Sequence, residues 1–168
     1  WQANHVAGLL GDAASAPMAV IVPIATTGDI VRDVPLSQVE GRSFFTKELH
    51  EALLDGRIGL AVHSLKDVAT VLPAGLVLAA VPEREDPRDA LVTRSRAPGL
   101  ASLPARARVA TSSVRRRAFV KHVRGDLELV DLRGNVPTRL RQLEDGRFDA
   151  IIVAAAGLNR LGLKGRID

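Results

Sequence analysis

The sequence predicts an α/β fold with mainly parallel sheets, and three observations carry that expectation. Strand-like apolar runs alternate along the chain with amphipathic segments of helical period. A charged, proline-bearing stretch, EREDPRDA at 83–90, separates two strand-like runs. The unusual polar residues cluster just after strand-like runs, at the carboxyl ends where open α/β sheets bind their ligands. The charged stretch divides the chain into a first domain over 1–82, a hinge over 83–88 and a second domain over 89–168.

MAVIVPI (18–24) reads as a buried strand, and FFTKELHEALLDG (44–56) as a helix with Phe45, Leu49, Ala52 and Leu53 on one face and Gly56 past its end. RIGLAVHS (57–64), GLVLAAVP (75–82) and ALVTR (90–94) read as strands. A Pro- and Ala-rich connection over 95–105 follows. Then come strand ARVATS, helix VRRRAFVKHVR, strand LELVDLR, helix TRLRQLEDG and strand DAIIVAAAG, which ends at 157. There is no internal repeat and no low-complexity tract.

At 168 residues and 46% hydrophobic content the chain can bury a substantial core. It has no apolar run of about 18 residues, so no membrane helix is expected. No signal-like start is present, and the expected compartment is the cytoplasm. Cysteine is absent, which excludes disulfides, thiolate metal sites and a cysteine nucleophile within these residues. The four histidines show no metal-ligand spacing, so no metal is expected, and His63 reads as a packed histidine of a strand. The chain begins at Trp1 and ends at Asp168 after a basic segment, which reads as an excerpt of a longer protein.

The net charge of +4 is unevenly spread. Residues 106–141 hold ten Lys or Arg against three acids, a local +7, so the remainder carries −3. Such an arginine field implies an anionic partner, phosphate or carboxylate. Aromatic residues make up only 3% and tyrosine is absent, which leaves few platforms for stacking bases, and no nucleic-acid partner is expected. No Walker A loop or G-x-G-x-x-G is present to hold a nucleotide.

Three constellations can carry chemistry. After the run ending at His63, Ser64, Lys66 and Asp67 stand together; the carboxylate can protonate a leaving group or stabilise a developing cation, or can be an exposed helix cap beside a solvated lysine. In ATSSVRRRAF, Thr111, Ser112 and Ser113 form a strand-to-helix turn with Arg115, Arg116 and Arg117 just inside the helix, an arrangement suited to an anion. Consecutive helical residues point about 100° apart, so the three arginines fan out and one is left to solvent. In DLRGNVPTRLRQL, Arg133 ends a strand, Gly134 allows a tight turn, and Pro137 opens a helix bearing Arg139 and Arg141. For Arg141 a solvated helix face is a sufficient account. The loop ATTGD (25–29) carries little specificity.

Together VHSLKD, EREDPRDA, TSSVRRR, LRGNVPTRL, FDAIIVAAAGLNRLGL and TGD…PL…GRSFFTKELHEALL, in register over the whole chain, resemble the porphobilinogen deaminase (hydroxymethylbilane synthase) family. The resemblance implies two periplasmic-binding-protein-like domains with mainly parallel sheets and a cleft between them. It implies a transferase of haem biosynthesis that joins four porphobilinogen molecules into hydroxymethylbilane, releasing ammonia at each step. The cofactor it implies is dipyrromethane, attached to a cysteine of a third domain that these residues do not include. The full-length protein is expected to be a cytoplasmic monomer without nucleic-acid or membrane partners.

By the same resemblance, Asp67 matches the catalytic aspartate, which assists ammonia loss and stabilises the azafulvene-like cation that follows. Ser64, Lys66, Ser113, Arg115, Arg116, Arg133 and Arg139 match cofactor-binding positions, and Arg160 and Arg42 match positions that handle substrate. Gln38, Arg42 and Ala69 depart from the usual lysine, lysine and proline of the family. The family's opening strand and the strand returning to the first domain have no counterpart, so the first domain is expected to be incomplete, with an unpaired edge and exposed apolar surface. Without the cysteine, residues 1–168 alone are expected to be inactive. A reading of another class uses the same residues as a non-catalytic anion-binding module of periplasmic-binding-protein type.

Overall fold

The apolar run at 150–154 carries no polar side chain and is buried on both faces of a sheet, and the second half of the chain is built around it. The computed structural model describes residues 1–12, 18–26 and 46–168. These fall into two units, Trp1–Val81 and Pro82–Asp168. The described helices are α1 (Gln2–Gly11), α2 (Lys47–Leu54), α3 (Val114–Val123), α4 (Val136–Glu144) and α5 (Ala155–Arg160). The described strands are β1 (Asp89–Thr93), β2 (Arg108–Ala110), β3 (Glu128–Val130) and β4 (Ala150–Ala154), all in the second unit.

The sheet order is β1-β4-β2-β3. β2 pairs in parallel with both β3 and β4, while β1 runs antiparallel to β4 with Asp89 opposite Ala154 and Thr93 opposite Ala150. The sheet is therefore mixed α/β and mainly parallel, with one antiparallel edge. Side chains alternate between its faces, as a pleated strand requires. Ala90, Val92, Ala110, Ile151 and Val153 join Leu140 and Leu143 of α4 and Leu158 of α5 in one core. Val109, Ala150 and Ile152 join Val120 of α3 with Leu103 and Leu127 in the other. Helices thus cover both faces, and each fully buried Leu or Ile contributes about 1.5–3 kcal/mol.

Several boundaries differ from the sequence reading. The strands expected over 107–112 and 127–133 stop at Ala110 and Val130, where the chain turns toward the helices that follow. The expected strand over 149–157 stops at Ala154, and α5 begins at Ala155 because the Ala-Ala-Gly-Leu continuation lacks the β-branched residues that keep a chain extended and can bury Leu158 on a helix instead. The helix expected from 138 begins at Val136, since Asn135 caps it and Pro137 fits its first turn.

The first unit departs further. Helix α2 lies within the expected segment and buries Ala52, but Phe45 lies outside the described residues. The strands expected at 18–24, 57–64 and 75–82 do not form. An apolar run becomes a strand only when its N–H and C=O groups meet a neighbouring ladder, and among the described residues of this unit there is none. The same runs stay exposed: Met18 is 88% and Val77 83% accessible, with Val20, Leu78 and Val81 also exposed. Residues 85–88 are bonded into the second unit: Asn159 Nδ2 donates to Glu85 Oε1 at 3.2 Å, and Ala155 N donates to Arg88 O at 3.0 Å.

Candidate functional site

In the second unit the carboxyl ends of the parallel strands β2 and β3 each lead into a capped helix. Ser113 Oγ accepts from Arg116 N at 3.5 Å at the start of α3. Asn135 Oδ1 accepts from Thr138 N at 3.0 Å and from Thr138 Oγ1 at 2.8 Å at the start of α4. Gly134 has φ +94, and a Cβ there would fall 2.8 Å from Thr138 Cγ2, so the turn into α4 admits glycine. The two loops are joined by Ser112, whose hydroxyl donates to Leu132 O at 2.8 Å and accepts from Leu132 N at 2.9 Å.

The arginines at these helix starts diverge as their spacing requires. Arg117 turns toward β3, with Nη1 3.3 Å from Asp131 Oδ1 and 3.4 Å from Thr111 O. Arg115 and Arg116 both turn to Asp89. Arg115 donates from Nη1 to Oδ2 at 2.7 Å and from Nη2 to Oδ1 at 3.2 Å. Arg116 donates from Nε to Oδ1 at 2.9 Å, and its Nη1 reaches Ile152 O at 3.3 Å. The Arg115 side chain is 71% exposed, that of Arg116 only 13% and that of Asp89 28%. Partial burial opposes the charged form of Asp89, but the hydrogen bonds and charges of the two arginines outweigh it, so its pKa lies below the ordinary aspartate value.

Arg139, in α4, donates from Nε to Gly134 O at 2.7 Å. Burial first, and the charge of Arg116 second, push its guanidinium below the usual arginine pKa. A half-buried cation pressed by a like charge is stabilised by an anion, so Arg139 and Arg116 belong to one cationic region at the strand rim. Arg133 is half-buried in the loop after β3, three residues beyond the strand end at Val130 and not at the end of a strand as the sequence suggests, and Arg160 lies in the last turn of α5 within the field of Glu85. Arg141 is exposed on α4.

In the first unit, Leu65–Asp67 form a single 3-10 turn, with Asp67 N donating to Ser64 O at 2.9 Å. Lys66 and Asp67 are exposed, and neither side chain makes a hydrogen bond or ion pair among the described residues. The helix-cap account of Asp67 thus finds no support, because the turn has no side-chain cap. Ser64 Oγ accepts from Gln2 Nε2 at 3.1 Å and donates to Gln2 Oε1 at 3.2 Å. His63 is only partly buried and outside any strand; desolvation lowers its pKa, which the Asp67 charge partly opposes and His50 reinforces. Arg42, Gln38 and most of the loop 25–29 lie outside the described residues. No cluster of potential metal ligands and no helix long and apolar enough to cross a membrane occurs among the described residues.

Sequence reasoning missed Asp89 and Gln2. For Asp89 a signal existed: two arginines in a helical first turn without a nearby acid require a counter-charge from elsewhere.

The family model described as porphobilinogen deaminase, dipyromethane cofactor binding domain, matches residues 1–168. The chain belongs to the porphobilinogen deaminase family. A porphobilinogen deaminase of Syntrophotalea carbinolica is 53% identical over 167 residues, covering 99% of this chain and 53% of the relative. One from Caulobacter vibrioides is 58% identical over 145 residues, 86% of this chain and 45% of the relative. One from Geobacter metallireducens is 51% identical over the full 168 residues and 52% of its own length. The chain spans about half the length of the curated porphobilinogen deaminases it matches. The donor chemistry at the strand rim suits the cofactor in the family's description. Dipyrromethane carries carboxylate side arms, and the rim offers guanidinium groups, of which Arg139 is half-buried with a backbone carbonyl as its hydrogen-bond partner.

Proposed function

We propose that this chain is the pyrrole-handling part of a porphobilinogen deaminase, a transferase that condenses four porphobilinogen molecules into hydroxymethylbilane. The observation that carries the reading is the cationic rim of Arg115, Arg116 and Arg139 at two capped helix starts, in a chain of this family. Each condensation joins the aminomethyl carbon of one pyrrole to the free α-carbon of another and expels ammonia. Every added pyrrole brings two carboxylates, so the product is a growing polyanion and the binding surface has to be cationic.

In this reading Arg115, Arg116, Arg139, Arg133 and Ser113 hold carboxylates of the cofactor and of the growing chain, with Ser64 and Lys66 at the cofactor and Arg160 and Arg42 at the substrate. When bound, dipyrromethane supplies the nucleophilic pyrrole carbon from which the chain is extended. Asp67 hydrogen-bonds pyrrole N–H groups and offers its negative charge to the cation left on the substrate as ammonia departs; exclusion of water strengthens that interaction. The same reading takes the two units to be periplasmic-binding-protein-like domains about a cleft, with 83–88 as the hinge. The thioether to the cofactor is supplied from outside these residues, which hold no cysteine. The full-length protein works in the cytoplasm as a monomer, without nucleic-acid or membrane partners.

The test is porphobilinogen consumption and hydroxymethylbilane formation by the full-length protein, beside residues 1–168 alone. Turnover by the first and none by the second is expected. A full-length protein that binds porphobilinogen without releasing ammonia would instead be a binding module.

A further inference from the structure

The paired arginines at the start of α3 pose an electrostatic problem that α3 does not solve. Its first turn has no acidic residue, and the helix dipole adds positive potential at the same place. Arg139 adds a third cation close enough to be perturbed by Arg116. The carboxylate that meets both paired guanidinium groups comes from 26 residues earlier, from Asp89, the first residue of β1. It reaches the rim because β1 is antiparallel: its opening residue lies opposite Ala154, at the carboxyl end of β4. A parallel strand in that place would put its first residue at the opposite end of the sheet.

The two arginines use this carboxylate differently. Arg116 approaches side-on, with Nε at 2.9 Å and Nη2 at 2.8 Å from Oδ1, and its Nη1 is also held by Ile152 O. Arg115 approaches end-on through both Nη atoms. A guanidinium has five N–H groups, so Arg115 keeps Nε–H and one hydrogen on each Nη for another acceptor, and its side chain is largely in solvent. Two cations and one anion leave this trio at +1, before Arg139 is added.

The geometry points to Asp89 as a positioning residue that fixes the Arg115 and Arg116 guanidinium groups at the rim, so that their remaining N–H groups face an incoming carboxylate. This inference rests on the reading of the rim as a carboxylate site. Its rival is a displacement model, in which Asp89 occupies the arginines as an internal anion and a ligand must evict it. The enclosure of Arg116 favours positioning. Without Asp89 its guanidinium would stand beside Arg139 and a helix start with no counter-charge, and the cations would be driven apart.

The experiment uses the full-length protein as wild type, Asp89→Asn and Asp89→Glu. Glutarate is titrated by calorimetry as a simple dicarboxylate probe, and kcat and KM are measured with porphobilinogen. For Asp89→Asn we expect glutarate affinity to fall about tenfold and KM to rise by a similar factor, with kcat within about threefold of wild type, the pattern of lost ground-state binding. Asp89→Glu keeps the charge but moves it by one methylene, and falls between. Equal or tighter glutarate binding by Asp89→Asn overturns the inference in favour of displacement. Failure of the wild type to bind glutarate overturns it as well, because no carboxylate site is then present to be positioned. A wild type that binds glutarate but does not consume porphobilinogen defeats the proposed function alone, and the glutarate arm still decides on Asp89. If Asp89→Asn does not fold, Asp89→Glu decides: weaker glutarate binding supports positioning and wild-type affinity overturns it.

Discussion

Ser113 and Asn135 in the second unit and Ser64 in the first all precede a helical turn, yet only the first two accept a hydrogen bond from the backbone they introduce. Ser64 gives its hydroxyl to Gln2, 62 residues away. The contrast extends to what each position supports. Arg115, Arg116 and Arg139 hang from capped helices anchored to a paired sheet with a core on both faces. Asp67 stands on one short turn in a unit without a described ladder. Gripping negative arms requires cations held at fixed spacing, which is a property of a scaffold. A lone carboxylate needs less support but gains its electrostatic leverage only when water is kept away.

If that division is right, the largest effect belongs to the least supported residue. Asp67→Ala in the full-length protein should lower kcat by about 100-fold or more, with a melting temperature within about 2 °C of wild type because the side chain is exposed. Near-normal turnover in that variant, followed as porphobilinogen consumption, would break the comparison at its first step.

The next contrast is in stability. Leu158→Ala, in the second unit's core, should cost about 2–5 kcal/mol in urea unfolding, whereas Val77→Ala, exposed in the first, should change it by no more than about 0.5 kcal/mol. Equal losses would show that Val77 is buried in the full-length protein.

The smallest effect is in pH. His63 has a folded pKa below its unfolded value of about 6.5, so the unfolded chain takes up its proton first and the stability tied to neutral His63 is lost as pH falls through the folded value. Asp89 also has a lowered pKa, but from about 3.9, so its contribution is complete above that pH and lost only in stronger acid. Protection factors for amide exchange, which remove the pH dependence of the intrinsic rate, should therefore fall from pH 7.5 to 5.5 in α2, which carries His50 beside His63, and stay constant in β4. A loss of protection in β4 alone would reverse the assignment.

The second unit was largely legible in the sequence because its central strand β4 is apolar on both faces and α3 and α4 carry their own caps. Ser113, Gly134 and Pro137 are local signals, read within four residues of what they organise, whereas the cap at Asn135 was not read and the start of α4 was placed two residues late. The first unit was over-read. Alternation and apolar runs at 18–24, 57–64 and 75–82 mark residues that gain from burial, but not whether a pairing strand is at hand. At 155–157 an alanine run has no period to separate strand from helix, and a buried Leu158 decided it. Asp89 escaped notice for a third reason. Its stretch read as a boundary, and its partners lie 26 and 27 positions away, where no spacing rule reaches.

Beyond Ala110 and Val130 the backbone pairing of β2 and β3 gives way to a side chain, since Ser112 Oγ takes both the N–H and the C=O of Leu132. One hydroxyl therefore works as a rivet between two loops that lead to separate helices. A shove delivered to either helix start travels to its neighbour, and the gap between the two sets of guanidinium groups keeps its width under load.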